Sequence, residues 1–247
     1  MEITQAKPIT ELTTEKSKQL QALLNNHGYG LVVDGIVGEK TIGAFNDFKR
    51  RNHLGYPNLL GATTLEKLKE KPQGKVHDFS TRDGVVQAII WECNQHNLRL
   101  KSQHAYVIAT TEWETARTFK PVRESYWWDN QHGFAKAEEM RRNHHNIRRY
   151  FPYYGRGFVQ LTWRGNYQRY SNILGIDLVS NPDLAMNPNV SLFILCHGFK
   201  HGIFTGRRLE HYVNSKQKDF INARRVINGT DKAREIANLA IQWERRI

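Results

Sequence analysis

The stretch Tyr153-Tyr-Gly-Arg-Gly-Phe-Val-Gln-Leu-Thr-Trp-Arg-Gly-Asn-Tyr167 decides how this chain is read. Two glycines flank Arg156, so the backbone there can turn sharply or come close to a ligand. Gln160 and Thr162 are two residues apart and share a face if the segment is extended, with Asn166 following. Amides, a hydroxyl and aromatic rings are the inventory of a sugar groove: partners for hydroxyl and N-acetyl groups, and flat apolar rings for sugar faces. Turn residues packed on a core would have the same composition, so residue types alone leave both readings open.

Upstream, Ala109-Thr-Thr-Glu-Trp-Glu114-Thr-Ala-Arg-Thr-Phe119-Lys-Pro-Val-Arg-Glu124 holds three acids. Val107, Ile108 and Thr111 predict a helix with its inner face on the core, and Glu114 lies close to that face. Burial near the end of such a helix raises a carboxyl pKa, which suits a general acid. Glu112 is two residues away, about 200° round the helix, so the two cannot face one cleft and one of them is expected in solvent. Glu112 stays open as the alternative acid. Glu124 lies beyond Pro121 on a loop or extended segment. A loop acid reaching over the same cleft supplies the second carboxylate of a glycosidase: one group protonates the leaving oxygen, the other activates water, at about 6.5–9.5 Å separation.

Around these stretches the chain of 247 residues divides. Residues 1–72 form a small unit of three helices, 73–78 a linker within Lys71-Pro-Gln-Gly-Lys-Val-His-Asp78, and 79–247 a larger, mainly helical domain. Helices are expected at 83–94, 104–115, 134–140, 165–174, 190–198, 209–213, 218–227 and 230–243, the first two amphipathic. In the small unit, Leu12, Leu20, Leu23 and Leu24 keep helical spacing behind Thr13 or Thr14 as cap. A break at Gly28-Tyr-Gly30 and a glycine-rich loop follow, then a helix from Glu39 to Phe48 and a short one from Thr63 to Lys69.

Net charge is +12, of which residues 1–72 carry only +2, so the larger domain would attract a polyanion: nucleic acid, an anionic envelope or an acidic glycan. The longest apolar run, Leu192 to Cys196, is five residues against the roughly 20 of a spanning helix. No cleavable export signal is visible at the N-terminus. Cys93 and Cys196 are expected as buried thiols. No phosphate-binding glycine motif supports nucleotide chemistry, and no metal or cofactor is expected. His197 and His201 stand i, i+4 without the glutamate of a zinc motif, while adjacent His144 and His145 are expected to point apart. Of the tryptophans, Trp127-Trp128 follow the proposed loop acid and are placed near the groove, with Trp91 and Trp243 in the core.

Two resemblances add to this. The order Y-Y-G-R-G-x-x-Q-L-T-x-x-x-N-Y is similar to the signature of family 19 glycoside hydrolases, a chitinase-like fold that bacteriophage endolysins also use. The resemblance extends through the E-T-A-x-T-F-x-P-x-x-E stretch to Ile221-Asn-Ala-Arg-Arg225 and Asn228-Gly229, or roughly residues 83–240. It implies a mainly α, lysozyme/chitinase-like catalytic domain with an inverting mechanism. Glu114 would be the acid, Glu124 the base and Thr162 the water-positioning hydroxyl. Gln160 and Asn166 would bind substrate, with Tyr154, Arg225 and Trp127 as cleft-wall or supporting groups. Phage relatives commonly have His before the acid where this chain has Trp113, a less polar neighbour that would push the Glu114 pKa up. The small unit resembles the peptidoglycan-binding domain of cell-wall hydrolases through Gln21, Leu24, Gly28, Asp34, Gly35, Gly38, Thr41, Ala44 and Phe48. Asp34, Gly35, Gly38 and Thr41 would be its binding-loop residues, although Asp34 as a plain turn cap is an equally physical reading.

Together these imply an endolysin-type lysozyme that cuts the β-1,4 bond from N-acetylmuramic acid to N-acetylglucosamine in bacterial peptidoglycan. A chitinase is the alternative, as is a non-catalytic wall-binding structural protein. The expected enzyme is a monomer without nucleic-acid partner or stable membrane insertion. It would wait in the host cytoplasm and depend on a separate holin-type permeabilising protein to reach the wall.

Overall fold

A computed structural model describes residues 1–3, 5–27, 29, 31–70 and 77–247. Gly28, Gly30 and the linker positions 73–76 lie outside the described residues. The chain is mainly helical. Cα packing groups residues 1–76 with 168–181 as one compact unit, and 77–167 with 182–247 as a second.

In the first unit, β1 (Lys7–Pro8) pairs antiparallel with β2 (Leu59–Leu60), a join of two residues per strand and too short for any alternation to announce. Helix α1 (Thr14–Asn26) starts where the Thr13 hydroxyl accepts from Lys16 N at 3.4 Å. Helix α2 (Glu39–Arg51) follows the glycine-rich loop, and α3 (Ala62–Lys69) follows β2. Leu20, Leu24, Phe45, Phe48, Leu65 and Leu68 close a core with Ile9 and Leu60. The loop is tied down by one buried carboxamide. Gln21 Nε2 donates to Asp34 Oδ1 (2.8 Å), Ile36 O (3.0 Å) and Thr41 Oγ1 (3.3 Å), while Gly35 N donates to Gln21 Oε1 (2.8 Å). Asp34 also accepts from Ile36 N at 2.8 Å, so it does cap its own turn. Val32 and Ile36 remain exposed on this loop.

The second unit holds α4 (Arg82–Gln95), α5 (Lys101–Glu114), β3 (Val122–Arg123), α6 (Tyr126–His132), α7 (Phe134–Asn143) and β4 (Arg156–Gly157). The boundary between the units falls inside α8 (Arg164–Leu174), and α9 (Pro188–His201) and α10 (Ala233–Arg246) complete the second. Helix α5 is its axis, packed by α4, α9 and α10, and every residue from Ser102 to Glu112 is buried. The expected amphipathic character of this helix is therefore corrected: it has no solvent face, because three helices enclose it. Its polar residues bond inward, as Thr110 and Thr111 do to the Tyr106 and Val107 carbonyls at 3.0 Å.

Cys93 and Cys196 are free, buried thiols with sulfurs 3.6 Å apart, and burial pushes the Cys196 thiol up. Two expected helices shrink to 3-10 turns, at Leu209–His211 and Asn222–Val226. Val213 and Lys218 bridge antiparallel, which keeps the chain extended at 218, and the Asp219 carboxylate caps Asn222 N at 2.9 Å, so helix begins only there. Among the described residues, no helix is long and apolar enough to cross a membrane.

Candidate active site

A cleft of about 690 Å³ in the second unit is lined from three parts of the chain. Glu114 and Glu124 enter from the C-terminal end of α5 and from β3. Arg149 and Tyr150 precede the glycine-bearing motif, which supplies Gly155, Gln160, Thr162, Trp163 and Asn166, while Phe204, Thr205, Arg207, Arg225, Ile227, Asn228 and Gly229 come from the segments around the last 3-10 turns.

Glu114 is the last residue of α5, with a side chain only 15% exposed. Burial raises its carboxyl above the ordinary range, and the Arg224 guanidinium, donating to Oε1 at 2.6 Å, opposes part of that rise. Arg224 is itself buried and also donates to Asp231 O at 3.1 Å, so its position is fixed from a second side. Glu112, on the opposite side of the helix, is not in solvent as the spacing suggested. It is buried, accepting from Trp243 Nε1 (2.6 Å) and Arg82 Nη2 (3.3 Å). Trp243 belongs to α10, so this bond clamps the helix that carries Glu114.

Glu124 follows β3, which pairs with β4: Val122 opposes Gly157, and Arg123 opposes Arg156. The pairing continues one residue on, where Glu124 N donates to Gly155 O at 2.7 Å. Its carboxylate is held by two donors, Tyr150 OH (2.7 Å) on Oε1 and Gly155 N (3.0 Å) on Oε2. Burial, with the bond to Glu124, pushes the Tyr150 phenol above its ordinary pKa. Beneath the loop lies Arg141 of α7, wholly buried. It donates to Glu124 O (2.8 Å), Ser125 O (3.4 Å), Glu138 Oε1 (2.9 Å) and Asp129.

The two glycines serve close approach. A Cβ on Gly155 would sit 2.6 Å from Gln160 Oε1, and Gly157, at φ +85°, would place one 2.5 Å from Ser191 Oγ. Arg156 between them points inward. It donates to Asp183 Oδ1 (2.7 Å) and Pro152 O (2.9 Å), and its guanidinium lies 3.7 Å from the Tyr154 ring centroid. Gln160 is left-handed (φ +53°), so the 160–162 stretch turns instead of running extended. Gln160, Thr162 and Asn166 nevertheless all line the cleft, linked by Thr162 Oγ1 to Gln160 O (2.8 Å) and Asn166 Nδ2 to Thr162 O (2.9 Å).

The expectations for Tyr154, Trp127, Trp91 and the His144–His145 pair are corrected, while Arg225 keeps its place in the cleft wall. Tyr154 is wholly buried and outside the cleft lining, its hydroxyl donating to Glu138; a residue inside an arginine-tyrosine stack has no surface for substrate. Trp127, on α6, is half-exposed but does not line the cleft, whereas Trp163 does so at similar exposure. Arg225 lines the cleft, yet its neighbour Arg224 makes the ion pair with Glu114. The imidazoles of His144 and His145 do not point apart: their centroids are 4.5 Å apart. Trp91 is only partly buried, against the His77 ring. Among the described residues, no three His, Cys, Asp or Glu side chains gather as a metal site. Asp34, Gly35, Gly38 and Thr41 belong to the glycine-rich loop of the first unit, where Thr41 is buried and Asp34 exposed.

Residues 94–200 match the model of the chitinase class I family, glycoside hydrolase family 19. That interval contains Glu114, Glu124 and the whole 153–167 motif, but not Arg224 or Trp243. Chitinase 8 of Oryza sativa subsp. japonica is 57% identical over 94 residues, 38% of this chain and 33% of that protein. Basic endochitinase B of Arabidopsis thaliana is 49% identical over 41 residues, 17% of this chain and 12% of the relative. A protein of Hevea brasiliensis named inactive chitinase-like protein 1 reaches the same 49% over 41 residues, covering 17% of this chain and 13% of its own. The chain thus spans a third or less of the length of these relatives. No solved structure matches.

Proposed function

We propose that this protein is a glycoside hydrolase that cuts β-1,4 bonds in peptidoglycan by an inverting mechanism, in the manner of an endolysin-type lysozyme. The observation that carries the reading is the cleft in which two differently held carboxylates converge, Glu114 with a raised pKa and Glu124 between two donors. Glu114 is suited to give a proton to the leaving oxygen, since burial keeps that proton on it at higher pH than an ordinary glutamate. Glu124, its orientation fixed by Tyr150 and Gly155, is suited to take one from water. The Thr162 hydroxyl spends its proton on Gln160 O, which leaves its lone pairs to accept a bond from that water. Gln160, Asn166 and Trp163 supply an amide pair and an exposed ring for N-acetylated sugars.

The family matched over residues 94–200 speaks for chitin-like glycans in general. Murein is preferred over chitin because the glycine-rich loop of the first unit resembles that of a wall-binding module, and because the net charge of +12 suits an anionic polymer. Asp34, Gly35, Gly38 and Thr41 would hold the wall. Action on the wall from the host cytoplasm, as a monomer and with a separate permeabilising protein, belongs to the same proposal.

The test is to digest purified peptidoglycan with wild type and Glu114→Gln, reduce the products with borohydride and identify the reduced ends by mass spectrometry. Muramitol ends from wild type, with at least about a hundredfold loss in the variant, are expected for a lysozyme using Glu114 as its acid. Glucosaminitol ends would move the cut to the other bond. Retention of activity in the variant would remove Glu114 from the role, and free peptide stems alone would sink the glycosidase reading.

A further inference from the structure

We infer that Arg149 and Arg207 form a carboxylate-reading pair in the cleft, one that favours muramyl-containing strands over neutral N-acetylglucosamine polymers. The inference rests on the peptidoglycan reading above and says which residues would give that preference. Both arginines line the cleft that holds Glu114 and Glu124, and they come from separate stretches of chain. Other arginines around the site are held by protein groups: Arg224 by Glu114, Arg141 by Asp129 and Glu138, Arg123 and Arg156 by Asp183, and Arg225, also in the lining, by Asn222 Oδ1 at 3.1 Å. Arg149 and Arg207 have no carboxylate partner among the described residues, and both are exposed.

They are nevertheless held in place. The Arg149 guanidinium lies over the Tyr150 and Trp163 rings, 5.5 and 5.7 Å from their centroids. Such stacking covers a face of the guanidinium and leaves its N–H edge for a ligand. Arg207 Nη1 donates to Tyr212 OH at 3.0 Å, which fixes one nitrogen and leaves the others available. A guanidinium held in this way matches a carboxylate in charge and in planar geometry. Neutral chitin offers only hydroxyls and amides, for which Gln160, Thr162 and Asn166 already provide partners. Glu114 is paired with Arg224, so of the two cleft carboxylates only Glu124 offsets the charge, and its oxygens are turned to Tyr150 and Gly155. The carboxylate could come from the lactyl group of muramic acid or from the attached peptide stem, and both offer the same chemistry.

The experiment compares wild type with Arg149→Gln/Arg207→Gln on three substrates: stem-bearing peptidoglycan, the same strands stripped of stems by an amidase, and chitin hexasaccharide. The readout is the ratio of kcat/KM on each murein substrate to that on the hexasaccharide. This ratio is expected to fall about tenfold or more, the size expected for losing charge-assisted hydrogen bonds. Added salt should slow wild type on murein more steeply than the variant. A fall that persists on stripped strands assigns the lactyl carboxylate, and one confined to stem-bearing material assigns the stem. Arg149→Lys/Arg207→Lys should recover part of the ratio. An unchanged ratio, or identical salt slopes, would overturn the inference while leaving the peptidoglycan reading intact. A wild type that cuts the hexasaccharide but neither murein substrate would overturn that reading, and this inference with it.

Discussion

At Glu114, burial and a guanidinium pull in opposite directions. Desolvation raises the carboxyl, and Arg224 at 2.6 Å lowers it, so the balance between them sets the pH above which the proton is lost. Replacing Arg224 with Gln removes the lowering influence and leaves the burial. A general acid works only while protonated, so activity falls as pH rises through its pKa. The alkaline limb of the kcat–pH profile should therefore move to higher pH in Arg224→Gln, alongside a lower maximum. A limb that stays put, or moves to lower pH, would show that Arg224 does not act on the acid. Arg224 is also the residue that sequence reading misses. It and Arg225 are neighbours on a 3-10 turn, where consecutive side chains point about 120° apart, and nothing local says which one turns inward. Tyr154 fails for a related reason: a tyrosine inside a ligand-like motif has the same letter whether it faces sugar or, as here, the Arg141 and Arg156 guanidiniums. Glu112 is buried by Arg82 and Trp243, 30 and 131 residues away, and helical spacing cannot report partners that distant. Glu114, Glu124, Gln160, Thr162 and Asn166 are singled out through the family resemblance, which spans short, local motifs, and all five line the cleft.

Among the elements, α7 has an influence beyond its own length. Through Arg141 it holds the carbonyls of Glu124 and Ser125, and it gathers Asp129 of α6 and its own Glu138 round one buried guanidinium. Arg141→Met would keep much of the volume but leave both acids unpaired. The expected cost is about 3 kcal/mol in the stability of the second unit, read from its denaturant midpoint. A loss below about 1 kcal/mol would mean that water replaces the guanidinium and that the loop is held from elsewhere. The longer helices are readable from apolar spacing to within about a turn, as α5 shows by starting at Lys101 instead of 104, but α6 is not foreseen. Two further failures lie at helix starts. The Asp219 carboxylate delays helix until Asn222, and Lys232, left-handed at φ +57°, delays α10 until Ala233. The first is a side-chain cap and the second a left-handed backbone residue without one, and periodicity encodes neither.

On the scale of the whole molecule, the two units can be perturbed separately. Gln21 uses its carboxamide to fasten the glycine-rich loop at four points and is buried. Gln21→Leu should destabilise the first unit by about 1–3 kcal/mol, through donors and acceptors left without partners. Retention on sedimented cell walls should drop, while turnover of a soluble oligosaccharide holds. Loss of both together would mean that the units do not work independently. The interval matched to a known family stops at residue 200, while Arg224 and Trp243, which bond to Glu114 and Glu112 at the C-terminal end of α5, come later. For anyone moving this unit onto a new carrier, that has a practical result. A cassette cut to the recognisable block would keep both carboxylates in its sequence and discard the counter-ion and the clamp of one of them. It would look complete on paper, so the splice belongs after α10.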